Sequence, residues 1–170
     1  MRPYDVLKNK QWYRVISCSL VHGSWMHLFF NGITYYFFAI SSGMAELLGG
    51  ITFLTLYLGS LIFSAIPSLL RHGDNPVYRS LGASGAISGL VLALAMMDPE
   101  GKFGLFFIIP MPAWLLGLGF IIFSFVASIR GLGRIAHDAH LFGALGGGIF
   151  IILLKPGVAE RFILWLEAFI

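Results

Sequence analysis

The chain has 170 residues, of which 58% are hydrophobic and only 11% charged, and its formal net charge is +3. Soluble domains carry about 25% charged residues, and a soluble fold this apolar would expose large adhesive patches, so composition excludes an ordinary soluble domain and points to a lipid bilayer as the solvent. The positive charges form no basic face, which leaves nucleic-acid binding without support, and the single cysteine, Cys18, can make no intrachain disulfide.

In chain order, residues 1–21 read as an interfacial or loop region. Arg2, Lys8, Lys10 and Arg14 lie there beside Trp12 and Tyr13, a mixture that suits a headgroup belt. The polar start Met1-Arg2-Pro3-Tyr4-Asp5 does not read as a cleavable signal peptide. Beyond it, Asp, Glu, Lys and Arg are absent from 15–45, 47–70, 80–97, 103–129 and 139–154. A spanning helix needs about 20 mostly apolar residues, so these runs predict five spans. The first runs from Trp25 to Ser42 and the second, after a turn at Glu46–Gly50, from Ile51 to Leu70. A polar loop, Arg71–Arg79, contains the turn signature Asp74-Asn75-Pro76. The third span starts near Leu81 and ends before Asp98-Pro99-Glu100-Gly101. The fourth occupies Pro110–Ser128, Gly131-Leu132-Gly133 breaks the chain, and the fifth runs from His137 to Leu154. Lys155-Pro156-Gly157 reads as a helix stop, after which the apolar 162–170 tail lies at the interface or frays. The expected fold is all-α and polytopic: one membrane domain, with its helix bundle at 22–154 and a tail at 155–170. The third and fifth spans are rich in Gly, Ala and Ser and read as buried, tightly packed helices, because backbone groups in lipid must bond internally.

If the spans alternate, one membrane face carries Arg2, Lys8, Lys10, Arg14, Arg71, Arg79, Arg130 and Arg134, and the other carries Lys102, Lys155 and Arg161. The positive-inside rule places the first face in the cytoplasm.

Polar groups within such spans are expensive and are functional candidates by default. His27 and Asn31 are four residues apart and so project from one face of the first span, with His22 at its mouth; His and Asn also serve as hydrogen-bonding glue between helices. Ser84 stands in Gly82-Ala83-Ser84-Gly85, a serine among small residues at a helix start. That fits an exposed nucleophile, although such small-residue clusters are more often packing faces. In the fifth span His140, Gly143 and Gly147 share a face with His137, whereas Asp138 points elsewhere. Gly85 and Gly89 follow Ser84, and Gly143 and Gly147 follow His140. Such pairs let helix backbones approach closely, and a Ser–His hydrogen bond requires that closeness. The residues therefore predict a Ser84–His140 dyad, with His27, Asn31 and the Ser84 amide as oxyanion donors. Asp98 is 14 residues beyond Ser84, roughly 21 Å along a helix, and cannot orient His140.

Taken together and in this order, Tyr13-Arg14, His22…His27…Asn31, Gly82-Ala83-Ser84-Gly85 and Ala139-His140-x-x-Gly143-x-x-x-Gly147 resemble the rhomboid family of intramembrane proteases from about Trp12 to Leu154. The resemblance implies a multi-pass helix bundle in a bacterial inner membrane with a water-filled site below the surface. It implies endoproteolysis of single-span membrane proteins by Ser84, His140, His27 and Asn31, with neither metal nor cofactor. Six spans are usual in that family. Five are visible here, the chain starting inside the loop that follows the first. The family faces its site away from the cytoplasm, opposite to the charge rule. Ser88 stands where the family often has an aromatic residue against the catalytic imidazole. The 15-residue separation of Asn31 and Glu46 is longer than usual and predicts a distorted inner end of the first span.

Two other classes compete with an active protease. One is a catalytically inactive rhomboid-like protein that binds membrane clients. The other is a metal-dependent membrane protease or metal transporter, which the five histidines invite. The chain has no His-Glu-x-x-His motif to support the latter.

Overall fold

A computed structural model describes residues 1–105, 109–131 and 136–169. Two short helices, α1 (Pro3–Lys8) and α2 (Arg14–Ser17), precede α3 (Trp25–Tyr35). Ser24 caps α3 by accepting the His27 amide at 3.1 Å, the usual service of a serine before a helix start. The helix then widens into a π-helical segment, Tyr36–Ser41. Inserted residues inside a helix are commonly absorbed in this way, and the segment is the distortion that the Asn31–Glu46 spacing predicts. After α4 (Met44–Leu48) come α5 (Gly50–His72), α6 (Ser84–Met97), α7 (Ala113–Arg130), α8 (His137–Leu154) and α9 (Pro156–Phe169).

Three of these helices, α5, α7 and α8, are long and apolar enough to cross a bilayer. The first and third expected spans take shorter forms: α3 with its π segment, and the 14-residue α6. Helix α6 is enclosed by protein, with Gly85–Val91 and Ala93–Ala95 all buried, so its length is matched to neighbouring helices more than to lipid. One expectation is corrected. Helix α8 stops at Leu154 with Lys155 as its cap, as Lys155-Pro156-Gly157 predicts, but the tail beyond it does not fray. Proline is tolerated in a first helical turn, where its missing N–H is not needed, and Pro156 opens α9, which docks through buried Val158 and a Trp165 to Glu100 hydrogen bond of 2.9 Å. The chain also contains a small antiparallel hairpin, β1 (Lys102–Leu105) with β2 (Ile109–Pro112), before α7. Of the expected break at Gly131–Gly133, only Gly131 is described, as the left-handed cap of α7. Leu132 and Gly133, like Arg134, lie outside the described residues.

Helices α5, α6 and α8 form the centre. The face of α6 that carries Gly85 and Gly89 meets Ser64 and Ser60 of α5 and the backbone of α8. Ser60 and Ser64 return their hydroxyls to their own helix, to the carbonyls of Leu56 and Leu61 at 2.7 Å each, and so present small, satisfied surfaces. Between α6 and α8 the backbones themselves touch: a Cβ on Gly143 would collide with the Gly85 carbonyl, and one on Gly147 with the Gly89 carbonyl. Lipid tails are as apolar as side chains, so helix association here rests on this close packing. One apolar cluster (Ala39, Met44, Leu48, Leu56, Leu90, Leu94, Ile151 and Val158 among it) lies toward the C-terminal end of α6, and a second, with Val6, Val15 and Ala65, ties residues 1–21 to α5. Four of the eight cations of the basic face are paired, Arg2 and Arg14 with Asp5, Lys8 with Asp74 and Arg71 with Asp138.

Gly147→Val is expected to lower stability by about 1–3 kcal/mol or more, as overpacking does, read as a fall in Tm in detergent micelles. Gly119→Ala on α7 meets nothing within 4 Å and is expected to be neutral or stabilising by up to ~1 kcal/mol. Equal stability of the two variants would refute a tight α6–α8 contact.

Candidate active site

Ser84 is the first residue of α6, where the helix geometry leaves the first amides without intrahelical acceptors and the dipole favours negative charge. His140 lies one turn into α8, and its Nε2 is 2.7 Å from Ser84 Oγ. The four glycines that bring α6 and α8 into backbone contact lie immediately below this pair, so packing and hydrogen bond have one cause. Asp138 is turned away and bonds Arg71 at 3.0 Å. Asp98 caps the opposite end of α6. Neither carboxylate reaches the imidazole.

His27 and Asn31 border the same cavity of about 990 Å³ as Ser84 and His140. Gly82 explains how they reach it. Its φ is +103°, and a Cβ there would stand 2.7 Å from His27 Nε2 and 3.4 Å from Asn31 Nδ2. Only glycine accepts both the dihedral and the crowding without strain. The Gly82 amide is anchored to the Cys18 carbonyl at 3.0 Å, which fixes the turn into α6. The Gly23 amide donates to His27 Nδ1 at 3.5 Å. That contact turns Nε2 toward Gly82. Asn31 is the one buried residue of α3, and its Nδ2 has no partner among the described residues. A buried amide donor left unpaired is costly. His22 meets His27 edge-on, with ring centroids 5.1 Å apart. Outside the spanning helices, desolvation and then the neighbouring His27 keep the His22 imidazole below the ordinary histidine value.

Two residues of this neighbourhood had no distinct signal in the sequence. The motif contains Gly82, but its positive φ is a property of the folded turn. Phe120 of α7, whose ring is inclined 28° to that of His140 at 6.3 Å, is one aromatic among many in an apolar helix. Among the described residues no group of three His, Cys, Asp or Glu side chains could hold a metal ion.

Residues 9–157 match the family model described as "Rhomboid domain". The chain is 31% identical to the Bacillus subtilis protein named "Putative rhomboid protease YdcA", over 91% of this chain and 73% of that protein. It is 29% identical to the Arabidopsis thaliana "RHOMBOID-like protein 12, mitochondrial", over 90% of this chain and 49% of the other. It is 32% identical to the Danio rerio "Presenilin-associated rhomboid-like protein A, mitochondrial", over 81% and 36%. The chain thus spans about half or less of those two mitochondrial relatives. No solved structure matches it.

Gly82→Ala is expected to displace His27 and strain the turn, at about 1–3 kcal/mol for a forced left-handed residue. The check is Tm together with the rate at which a fluorophosphonate labels the protein. A variant that keeps both would show that the turn does not depend on glycine.

Proposed function

This chain belongs to the rhomboid family, and from that premise we propose that it is an intramembrane serine endopeptidase that cleaves single-span membrane proteins with a Ser84–His140 dyad. The observation that carries the reading is the 2.7 Å contact between Ser84 Oγ and His140 Nε2 at the wall of a large cavity within a membrane protein. A serine hydroxyl becomes a useful nucleophile when a base takes its proton, and imidazole is suited to do so near neutral pH. The Ser84 proton passes to His140 Nε2 as Oγ bonds to the scissile carbonyl carbon. The carbonyl oxygen becomes an oxyanion, for which His27 Nε2–H, the free Asn31 Nδ2 and the Ser84 amide are the donors. Collapse breaks the C–N bond, the leaving amine takes the proton from His140, and water repeats the sequence on the acyl-enzyme. With Asp138 engaged by Arg71 and Asp98 at the far end of α6, no acidic orienter of the imidazole stands among the described residues.

The likeness to the Bacillus protein supports a bacterial cell membrane as the location. A second reading, a rhomboid-like protein that binds membrane clients without cutting them, draws support from relatives whose names carry "rhomboid-like" and no mention of a protease.

In proteoliposomes with a single-span reporter, Ser84→Ala and His140→Ala are expected to reduce cleavage on the order of 10⁴-fold or more. Asn31→Ala is expected to reduce kcat about 10²–10³-fold, the usual loss for one oxyanion donor. A fluorophosphonate should label the parent protein and not Ser84→Ala. Labelling that persists in Ser84→Ala would sink the dyad; a parent that binds the reporter without cutting or labelling would favour the second reading.

A further inference from the structure

We infer that Phe120 of α7 and His137 of α8 are positioning residues that hold the His140 imidazole in line with Ser84, an inference that rests on the dyad reading above. A base hydrogen-bonded only through Nε2 is free to tilt about that bond, and a loose base loses the near-attack geometry on which the rate depends. Asp98 and Asp138 are turned away, and Ser88, one turn beyond Ser84, spends its hydroxyl on the Ser84 carbonyl at 2.7 Å. What does flank the His140 ring is aromatic. Phe120 lies across it at 6.3 Å and 28°, an offset stack. His137 meets it edge-on at 6.0 Å and 87°.

The arrangement has a register. Phe120 and Phe123 are three apart on α7, and His137 and His140 are three apart on α8. The helices are antiparallel, so Phe120 pairs with His140 and Phe123 with His137, the latter edge-on at 5.5 Å. Residues three apart share a helix face, so both contacts follow from one helix–helix seam. His137 is 7% exposed, and its Nδ1 has no partner among the described residues. Ring contacts are therefore what set its plane, and aromatic pairs prefer these offset and edge-to-face geometries. The stacked face of the base thus comes from α7, a helix that buries only Ala113, Gly117, Ser124 and Ala127.

The test uses the full chain in proteoliposomes, with Phe120→Leu, Phe120→Tyr, His137→Leu and His137→Phe. Loss of one ring contact is expected to lower kcat and the labelling rate of Ser84 together by about fivefold in Phe120→Leu and His137→Leu, with KM and Tm unchanged. The ring-keeping Phe120→Tyr and His137→Phe should return both rates to within about twofold of the parent. A second readout does not depend on turnover. The imidazole proton shifts of His140, observed in histidine-labelled protein, should move in Phe120→Met and stay in place in Ile122→Ala, an exposed neighbour on α7. Unmoved shifts in Phe120→Met, a Phe120→Leu protein as fast as the parent, or a Phe120→Tyr protein as slow as Phe120→Leu would each overturn the inference. A parent protein unlabelled at Ser84 would instead remove the dyad, and this inference with it.

Discussion

The backbone contact between α6 and α8 is the constraint on which the rest of the structure depends. Gly85 faces Gly143 and Gly89 faces Gly147 so closely that no side chain could be added between them. In lipid there is no hydrophobic gain from joining two apolar helices, and close van der Waals packing between small residues takes its place. Ser84 and His140 each sit one position or one turn N-terminal to the first glycine of their pair. Their 2.7 Å separation is therefore a consequence of helix packing. A histidine on a helix held at an ordinary interaxial distance of 8–10 Å would depend on rotamer choice alone to reach the serine.

Helix α5 completes the centre without competing for it. Its serines at 60 and 64 satisfy their hydroxyls within the helix and offer only a small surface, Oγ and Cβ, to the glycines of α6. The resulting core is narrow at the Ser84 end, where a cavity of about 990 Å³ opens, and filled at the other by Leu56, Leu90, Leu94 and Ile151. Polar groups thus gather at one end of the bundle. Helix α3 brings His27 and Asn31 to that end while exposing most of its own surface; Asn31 alone is buried. Gly82 permits this, since its positive φ turns the chain into α6 and leaves room for the His27 ring.

Much of this was legible in the linear chain because lipid imposes simple rules. Charge-free runs marked the helices, and the three longest, α5, α7 and α8, are long and apolar enough to cross a bilayer. Where protein, not lipid, surrounds a segment, the length rule weakens: α6 is only 14 residues long, and the first expected span gives way to a π-helical segment after Tyr35. The stop after Leu154 was legible, but the helix beyond it was not. Proline and glycine after Lys155 break a continuing helix, but they are compatible with starting a new one, and only docking of Val158 and Trp165 decides for α9.

The sequence by itself determined the membrane character, the helical periodicity that puts His27 with Asn31 and His140 with Gly143 and Gly147, and the two small-residue pairs that can bring helices together. These follow from composition and from the 3.6-residue repeat, which are local properties. Only the tertiary structure decided that the glycine pairs face each other, that Gly82 adopts a left-handed turn against His27, and that Phe120 of another helix lies across the His140 ring. Those facts depend on which helix neighbours which and in what register, and a one-dimensional pattern of apolar residues specifies a helix face without naming its partner.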